Sequence, residues 1–226
     1  MKALIVCTSH STFPTKSAKT GVWFSEIVHF YNVLVRQRIL IDFVSPQGGI
    51  IPIDERSLDS RDELVQEYLQ KPDFMKLLKN AMSPSEVDYR DYRVVYFAGG
   101  HGAIWDFPEN EELQSLVRDM YESNRMITAV GQGVSALVNV KLSDGSYLLE
   151  DKYVTALSNV EEKLVSFICE VPFYLEDALI EKKANYTKAL LPYTEHIEMD
   201  ERLITAQNPN SARKLAQKLT EELYEK

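Results

Sequence analysis

The chain has 226 residues, a formal net charge of −9 and two cysteines, Cys7 and Cys169. The length suits one large domain, which at this size buries roughly 70–75% of its unfolded surface and needs no disulfide or metal to fold; the cysteines offer neither a metal-ligand spacing nor a disulfide framework. The acidic balance argues against nucleic acid or an anionic membrane as partner, no apolar run reaches the roughly 18 residues of a membrane span and no signal peptide is visible, so a reducing, cytoplasmic setting is expected.

Residues 2–7 form a short apolar run that reads as a buried first strand. Residues 8–20, rich in Ser, Thr and Lys, read as a loop over one end of the sheet. Across 21–36, Val22, Trp23, Ile27, Phe30, Val33 and Leu34 recur at helical spacing. Glu26 falls beside that apolar face, where residue type alone makes it an exposed carboxylate as readily as a functional one. His29 reads as a satisfied packing histidine. Residues 39–45 are a second strand, so strand, helix and strand imply a right-handed crossover and a parallel pair. Residues 50–90 break the rhythm: the stretch is long and charged, with helices expected over 61–69 and 73–82, and reads as a small cap insertion within a single domain spanning 1–226.

Val94 to Phe97 is a third core strand, followed directly by Ala98-Gly-Gly-His-Gly. Glycines after a strand let backbone N–H groups approach a ligand or form an oxyanion hole, so Gly99, Gly100 and His101 are candidate binding residues; the plain alternative is a strand-ending turn. Asn110 is a good N-cap for a helix to about Ser123. Met126 to Val130 is a buried strand running into Gly131, Gln132 and Gly133 and then a short helix. That order matches a nucleophile elbow, in which a sharp turn lifts one residue above the sheet and small residues flank it. Ala129 and Gly133 are the small residues; the apex is Gly131, which has no side chain to react. The same residues fit G-x-G-x-x-A, a dinucleotide-binding turn, but that motif belongs in a first strand–helix–strand unit with an acid ending the next strand, and no cofactor is expected.

Further on, Ser143-Asp-Gly-Ser signals a hairpin, 153–157 another strand, and Ser158-Asn159 the cap of a helix carrying Glu161 and Glu162. A helix is expected over 172–183, two strands over 196–199 and 203–206, and a final amphipathic helix opened by Asn208-Pro-Asn-Ser. Alternating strands and helices give an α/β class, a flavodoxin-like sandwich with a mainly parallel sheet and helices on both faces. Its ligands belong beyond the carboxyl ends of the strands.

The chain resembles the ThiJ/PfpI superfamily, and within it the branch of heat-shock chaperones and glyoxalase III enzymes. The likeness runs nearly the whole length, through Lys19-Thr-Gly with Glu26 and His29, Ala98-Gly-Gly-His-Gly, Trp105-Asp, Asn139 to Gly145, Pro172 with Glu176-Asp177, and Gln207-Asn-Pro. In that branch the elbow reads Ala-Val-Cys-His-Gly, with the Cys as nucleophile, the His as its partner, a later acid orienting the His, and a first-helix Glu bonding the Cys. The resemblance puts Gly131 at the nucleophile, Gln132 at the histidine, Glu162 at the later acid and Glu26 at the first-helix acid. Gly100 and the Gln132 N–H fall at the oxyanion hole. Ser135 lies about one helical turn past the apex and is expected to face elsewhere, and Ser11 and His101 approach only from loops.

Covalent chemistry needs an activated nucleophile beside a base, and Gly131 and Gln132 supply neither. The resemblance therefore implies a degenerate glyoxalase III-like protein that acts by binding a small carbonyl or carboxylate compound or a client protein, as a homodimer. An alternative is an enzyme of the family that works on small carbonyl compounds through Glu26 and His101. A third is an interaction subunit paired with an active paralogue.

Overall fold

The structure, a computed structural model, describes residues 1–14, 18–165 and 171–224. Six strands form one sheet in the order β2 (Leu40–Val44), β1 (Lys2–Val6), β3 (Val94–Phe97), β4 (Met126–Val130), β8 (Leu203–Ala206) and β7 (Ile197–Asp200). The first five run parallel and β7 pairs antiparallel to β8. The expected mainly parallel α/β sheet is present, with β3 and β4 as interior neighbours in the register Val94 to Met126.

Alternation along the strands sends side chains to two separate cores. Leu4, Val6, Val95, Phe97, Ile127 and Ala129 face one; Ala3, Ile5, Cys7, Val94, Tyr96 and Val130 face the other. Helix α1 (Phe24–Arg36) and the long C-terminal helix Ala212–Tyr224 cover the second core and pack on each other. Between β2 and β3 the chain crosses over through α2 (Glu63–Leu69) and α3 (Pro72–Leu77), which add Val65, Tyr68 and Phe74 to that same core. On the opposite face lie α4 (Ala103–Asp106) and α5 (Glu111–Glu122). The Asn110 side chain accepts the Leu113 N–H at 2.9 Å and so starts α5 as its sequence requires.

Several expected elements are shorter. The strand over 153–157 is only β5 (Tyr153–Val154), paired with β6 (Asn185–Tyr186) in a small second sheet. The Ser-Asp-Gly-Ser turn closes a single antiparallel bridge, Lys141 to Tyr147. The second helix of the crossover stops at Leu77, and the helix expected over 172–183 is α7 (Leu175–Glu181). Helix α6 (Asn159–Val165) begins with a capping box: Ser158 donates its N–H and hydroxyl to Glu161 and accepts the Glu161 N–H. The final helix, α8 (Ala212–Tyr224), follows a 3₁₀ turn at Pro209–Ser211. Cys169 lies outside the described residues.

Candidate active site

The turn after β4 is the pivot of the site. Gly131 sits at φ +53°, the left-handed region that costs any residue with a Cβ. A side chain there would start 3.2 Å from Glu26 Oε1, so the apex of the turn aims directly at that carboxylate. Gly133 is needed for a different reason: a Cβ would lie 2.3 Å from the Phe97 carbonyl oxygen, and only glycine lets the chain cross β3 so closely. The expected short helix that follows, Gly131–Leu137, is of the tighter 3₁₀ form. Ser135, buried within it, donates to the Ala103 carbonyl at 3.1 Å and turns away from the apex.

Glu26 is the third residue of α1 and is 1% exposed. Its packing stripe, shared with Ile27 and Phe30, drives the carboxyl under the ends of β3 and β4. The Gly99 N–H donates to its Oε2 at 2.6 Å. Burial pushes its pKa up to about 8, against the pull of the Gly99 N–H and of the His101 ring. The reading of Glu26 as an ordinary exposed helix carboxylate is thus excluded.

His101, on the loop after β3, is buried and bonds Glu162 through Nε2 at 3.0 Å. The Arg56 guanidinium, always a donor, meets its Nδ1 at 3.2 Å. Nδ1 must then accept, which puts the ring proton on Nε2, pointing at Glu162. Gln132 Nε2 donates to the other oxygen of Glu162 at 3.1 Å. One buried carboxylate therefore holds both Gln132 of the elbow and His101 of the neighbouring loop.

Glu26, His101 and Gln132 line one cavity of about 330 Å³ with Arg56. Trp23, Leu157, Tyr193 and Pro209 make its less polar walls. Gly99 and Gly131 reach it through Glu26, as their contacts show, and Gly100, at φ +109°, packs where a Cβ would meet the backbone of Gly21 and Trp23. Ser11 is exposed and takes no part in the lining. Cys7 lies at the end of β1, fully buried, and burial followed by the nearby Glu26 and Asp106 carboxylates pushes its thiol well above its ordinary value. Such a thiol is no nucleophile at neutral pH.

Two residues that shape the cavity, Asp54 and Arg56, had no sequence signal strong enough to mark them. Asp54, fully buried, accepts from Arg56 Nε at 2.9 Å and from its Nη2 at 2.5 Å. This pair fixes the guanidinium against His101 and over the Phe13 ring. Both residues lie in the stretch 50–90, read from sequence only as an insertion; the nearest clue was Asp54 preceding a Glu-Arg-Ser turn that it caps through the Arg56 N–H at 3.0 Å. The walls Tyr193 and Pro209 are held by Glu161, which accepts from the Tyr193 N–H at 2.7 Å, from Gln207 Nε2 at 2.8 Å and from Asn208 Nδ2 at 2.9 Å. His29 is doubly bonded, to Asp62 at 2.7 Å and Arg213 at 3.2 Å. Among the described residues no group of three His, Cys, Asp or Glu side chains gathers to hold a metal, and no helix is long and apolar enough to cross a membrane.

An α/β sandwich with a sharp glycine turn at the end of β4, opposed by a buried helix carboxylate, defines a class in which the site is made by strand ends and not by a separate domain. The chain belongs to the DJ-1/PfpI family, whose pattern it matches over residues 18–222. It is 30% identical to the glutathione-independent glyoxalase HSP31 of Saccharomyces cerevisiae, with 95% of this chain and 94% of that protein covered. Its structure is similar to that of Rapid Encystment Protein 24 KDa from Francisella tularensis, at TM-score 0.94 and 40% identity over 99% of each chain. It is also similar to glyoxalase III from Candida albicans, at TM-score 0.86 and 25% identity over 97% of this chain and 96% of that one.

Proposed function

We propose that this chain is a glyoxalase-type enzyme that works without a thiol, converting a hydrated 2-oxoaldehyde to a 2-hydroxy acid with Glu26 as the proton-transfer group. The relatives named as glutathione-independent glyoxalases support the substrate class. The observation that carries the mechanism is the geometry at Gly131: the apex is empty of side chain and faces a buried carboxyl with its pKa near 8, which a Cβ placed there would meet at 3.2 Å.

Hydration supplies in advance what a nucleophile would otherwise add. In R–CO–CH(OH)₂ the Glu26 carboxylate takes the C1 proton. The C1–H electron pair becomes the C1–C2 double bond, and the C2 carbonyl pair moves onto its oxygen, beside the Arg56 guanidinium that lines the cavity. That oxygen gains a proton from solvent. Glu26 then returns its proton to C2 while a C1 hydroxyl loses one and becomes the carboxyl carbonyl. C1 is oxidised and C2 reduced within the one molecule, and the sum is R–CO–CHO plus water giving R–CH(OH)–COO⁻ plus a proton. A carboxyl titrating near 8 is suited to both taking and returning a carbon-bound proton close to neutrality.

The test is methylglyoxal turnover across pH. Wild-type activity is expected to rise with pH through about 8 as Glu26 ionises, to survive thiol-blocking reagents, and to fall by about 10²–10⁴ in Glu26→Gln. A second reading, a degenerate protein that only binds a small carbonyl or carboxylate compound or a client, is favoured by one specific observation: the neutral amide of Gln132 occupies the place beside Glu162 that a proton-shuttling imidazole would need. No turnover at any pH, with methylglyoxal still bound, would select that reading.

A further inference from the structure

Beside the Glu26 cavity lies a second and larger one of about 580 Å³. Trp23, Tyr193 and Pro209 border both, so the two chambers adjoin along these three residues. The inner chamber already exceeds the needs of a three-carbon oxoaldehyde, whose bulk is that of about three waters, roughly 90 Å³ at about 30 Å³ each. Together the chambers have the scale of a site for a longer molecule.

The outer lining is polar, and its two carboxylates, Asp62 and Glu195, already have partners. Asp62 holds His29 Nε2 at 2.7 Å, and Arg213 donates to His29 Nδ1 at 3.2 Å, so one imidazole bridges an anion and a cation. These bonds hold the Asp62 carboxyl below its usual range even though burial, the largest influence, opposes them. Glu195 is met by Lys214 at 3.1 Å. An ammonium tail would find both carboxylates engaged, while the Arg213 guanidinium keeps further N–H donors for the hydroxyl oxygens of a tail. What the chamber offers is hydroxyl and amide chemistry: Ser25 from the first turn of α1, Ser60 from the crossover, and Asn210, whose amide donates to the Tyr193 carbonyl at 2.7 Å and leaves its own oxygen as an acceptor.

We infer that the outer chamber is a subsite for the neutral, polyhydroxylated tail of a sugar-derived 2-oxoaldehyde, whose dicarbonyl end reaches past Trp23, Tyr193 and Pro209 to Glu26. The inference rests on the Glu26 cavity accepting a dicarbonyl, and it names the substrate class of that site.

The test compares 3-deoxyhexos-2-ulose, a six-carbon 2-oxoaldehyde with three hydroxyls, with methylglyoxal. Binding is measured by calorimetry on full-length Glu26→Gln, where turnover does not obscure the heat. The six-carbon compound is expected to bind at least ten-fold more tightly, and Ser25→Leu, which fills the chamber from α1, is expected to reduce that preference below three-fold. Ser60→Val makes the same comparison from the crossover if Ser25→Leu loses its near-UV circular dichroism. Equal affinity for the two compounds, or a preference that survives a folded chamber variant, would overturn the inference. A preference for the longer compound with no wild-type turnover of either would instead overturn the proton-transfer mechanism and leave the subsite standing.

Discussion

Glu26 concentrates the energetics of the site in one side chain. Its carboxyl titrates near 8 in the folded protein and at about 4.5 in a solvated chain. Between those values the folded state keeps a proton that the unfolded chain has released, so this residue makes stability fall as pH rises from about 4.5 to about 8, with no further loss above. Glu26→Gln keeps an acceptor for the Gly99 N–H and removes the titration. Urea unfolding is therefore expected to show the variant gaining on wild type across that window, by on the order of 4 kcal/mol at its top, at about 1.4 kcal/mol per unit. A constant difference between pH 4.5 and 9 would mean that the carboxyl is ionised as it lies. Family resemblance marked Glu26, but its burial was not legible from residue type, since glutamate on an amphipathic helix usually faces water. Arg56 was less legible still. Its role comes from Asp54, from Phe13 and from His101, and no periodicity links those positions.

At the scale of an element, the elbow was readable because strand, glycines and apolar run follow one another within twelve residues, Met126 to Leu137. Its 3₁₀ form was not, because it answers to contacts from elsewhere: Gly133 lies against the Phe97 carbonyl, and Ser135 is tied to Ala103. The turn itself supplies a test of what the site retains. In Gly131→Cys with Gln132→His, the new Cβ would begin 3.2 Å from Glu26 Oε1, tight against a side-chain atom that can yield, and φ +53° adds strain, together about 1–3 kcal/mol of stability. Glu162, already 3.1 Å from the Gln132 amide, is placed to receive the imidazole. Iodoacetamide is expected to label the new thiol faster than the buried Cys7, and faster in the double variant than in Gly131→Cys alone, because an adjacent imidazolium lowers a thiol pKa. A folded double variant with an inert thiol would show that the pocket no longer accommodates an ion pair there.

The whole molecule divides into two cores, one on each face of the sheet, and Glu26 belongs to the helix that covers the second. The buried strands were legible as apolar runs, but the split into two cores was not, because a strand buried on both faces shows no polar alternation; the walls from Leu157, Tyr193 and Pro209 escaped because loops distant in sequence supply them. In the core under α1, the Phe30 ring stacks on Tyr96 at 3.7 Å and 3°, and the Tyr96 hydroxyl donates to the Glu26 carbonyl at 3.0 Å. Phe30 follows Glu26 by one helical turn, so this stack and the Tyr96 hydroxyl anchor the turn of α1 that carries the carboxyl. Met120 of α5 is equally buried, on the far side of the sheet. Phe30→Ala is expected to cost about 3–5 kcal/mol and Met120→Ala about 2–5 kcal/mol, losses that a domain of ordinary stability, about 5–15 kcal/mol, can absorb. The two variants should part company at Glu26. Loosening α1 admits water to the carboxyl, and its titration midpoint, followed by carbon-13 NMR of the glutamate carboxyls, should fall from about 8 toward the ordinary 4.5. The cavity left by Met120→Ala lies behind β3 and β4 and should leave that midpoint in place. Equal shifts in both variants would mean that the sheet does not insulate one core from the other, and that Glu26 is tuned by global stability and not by its own helix.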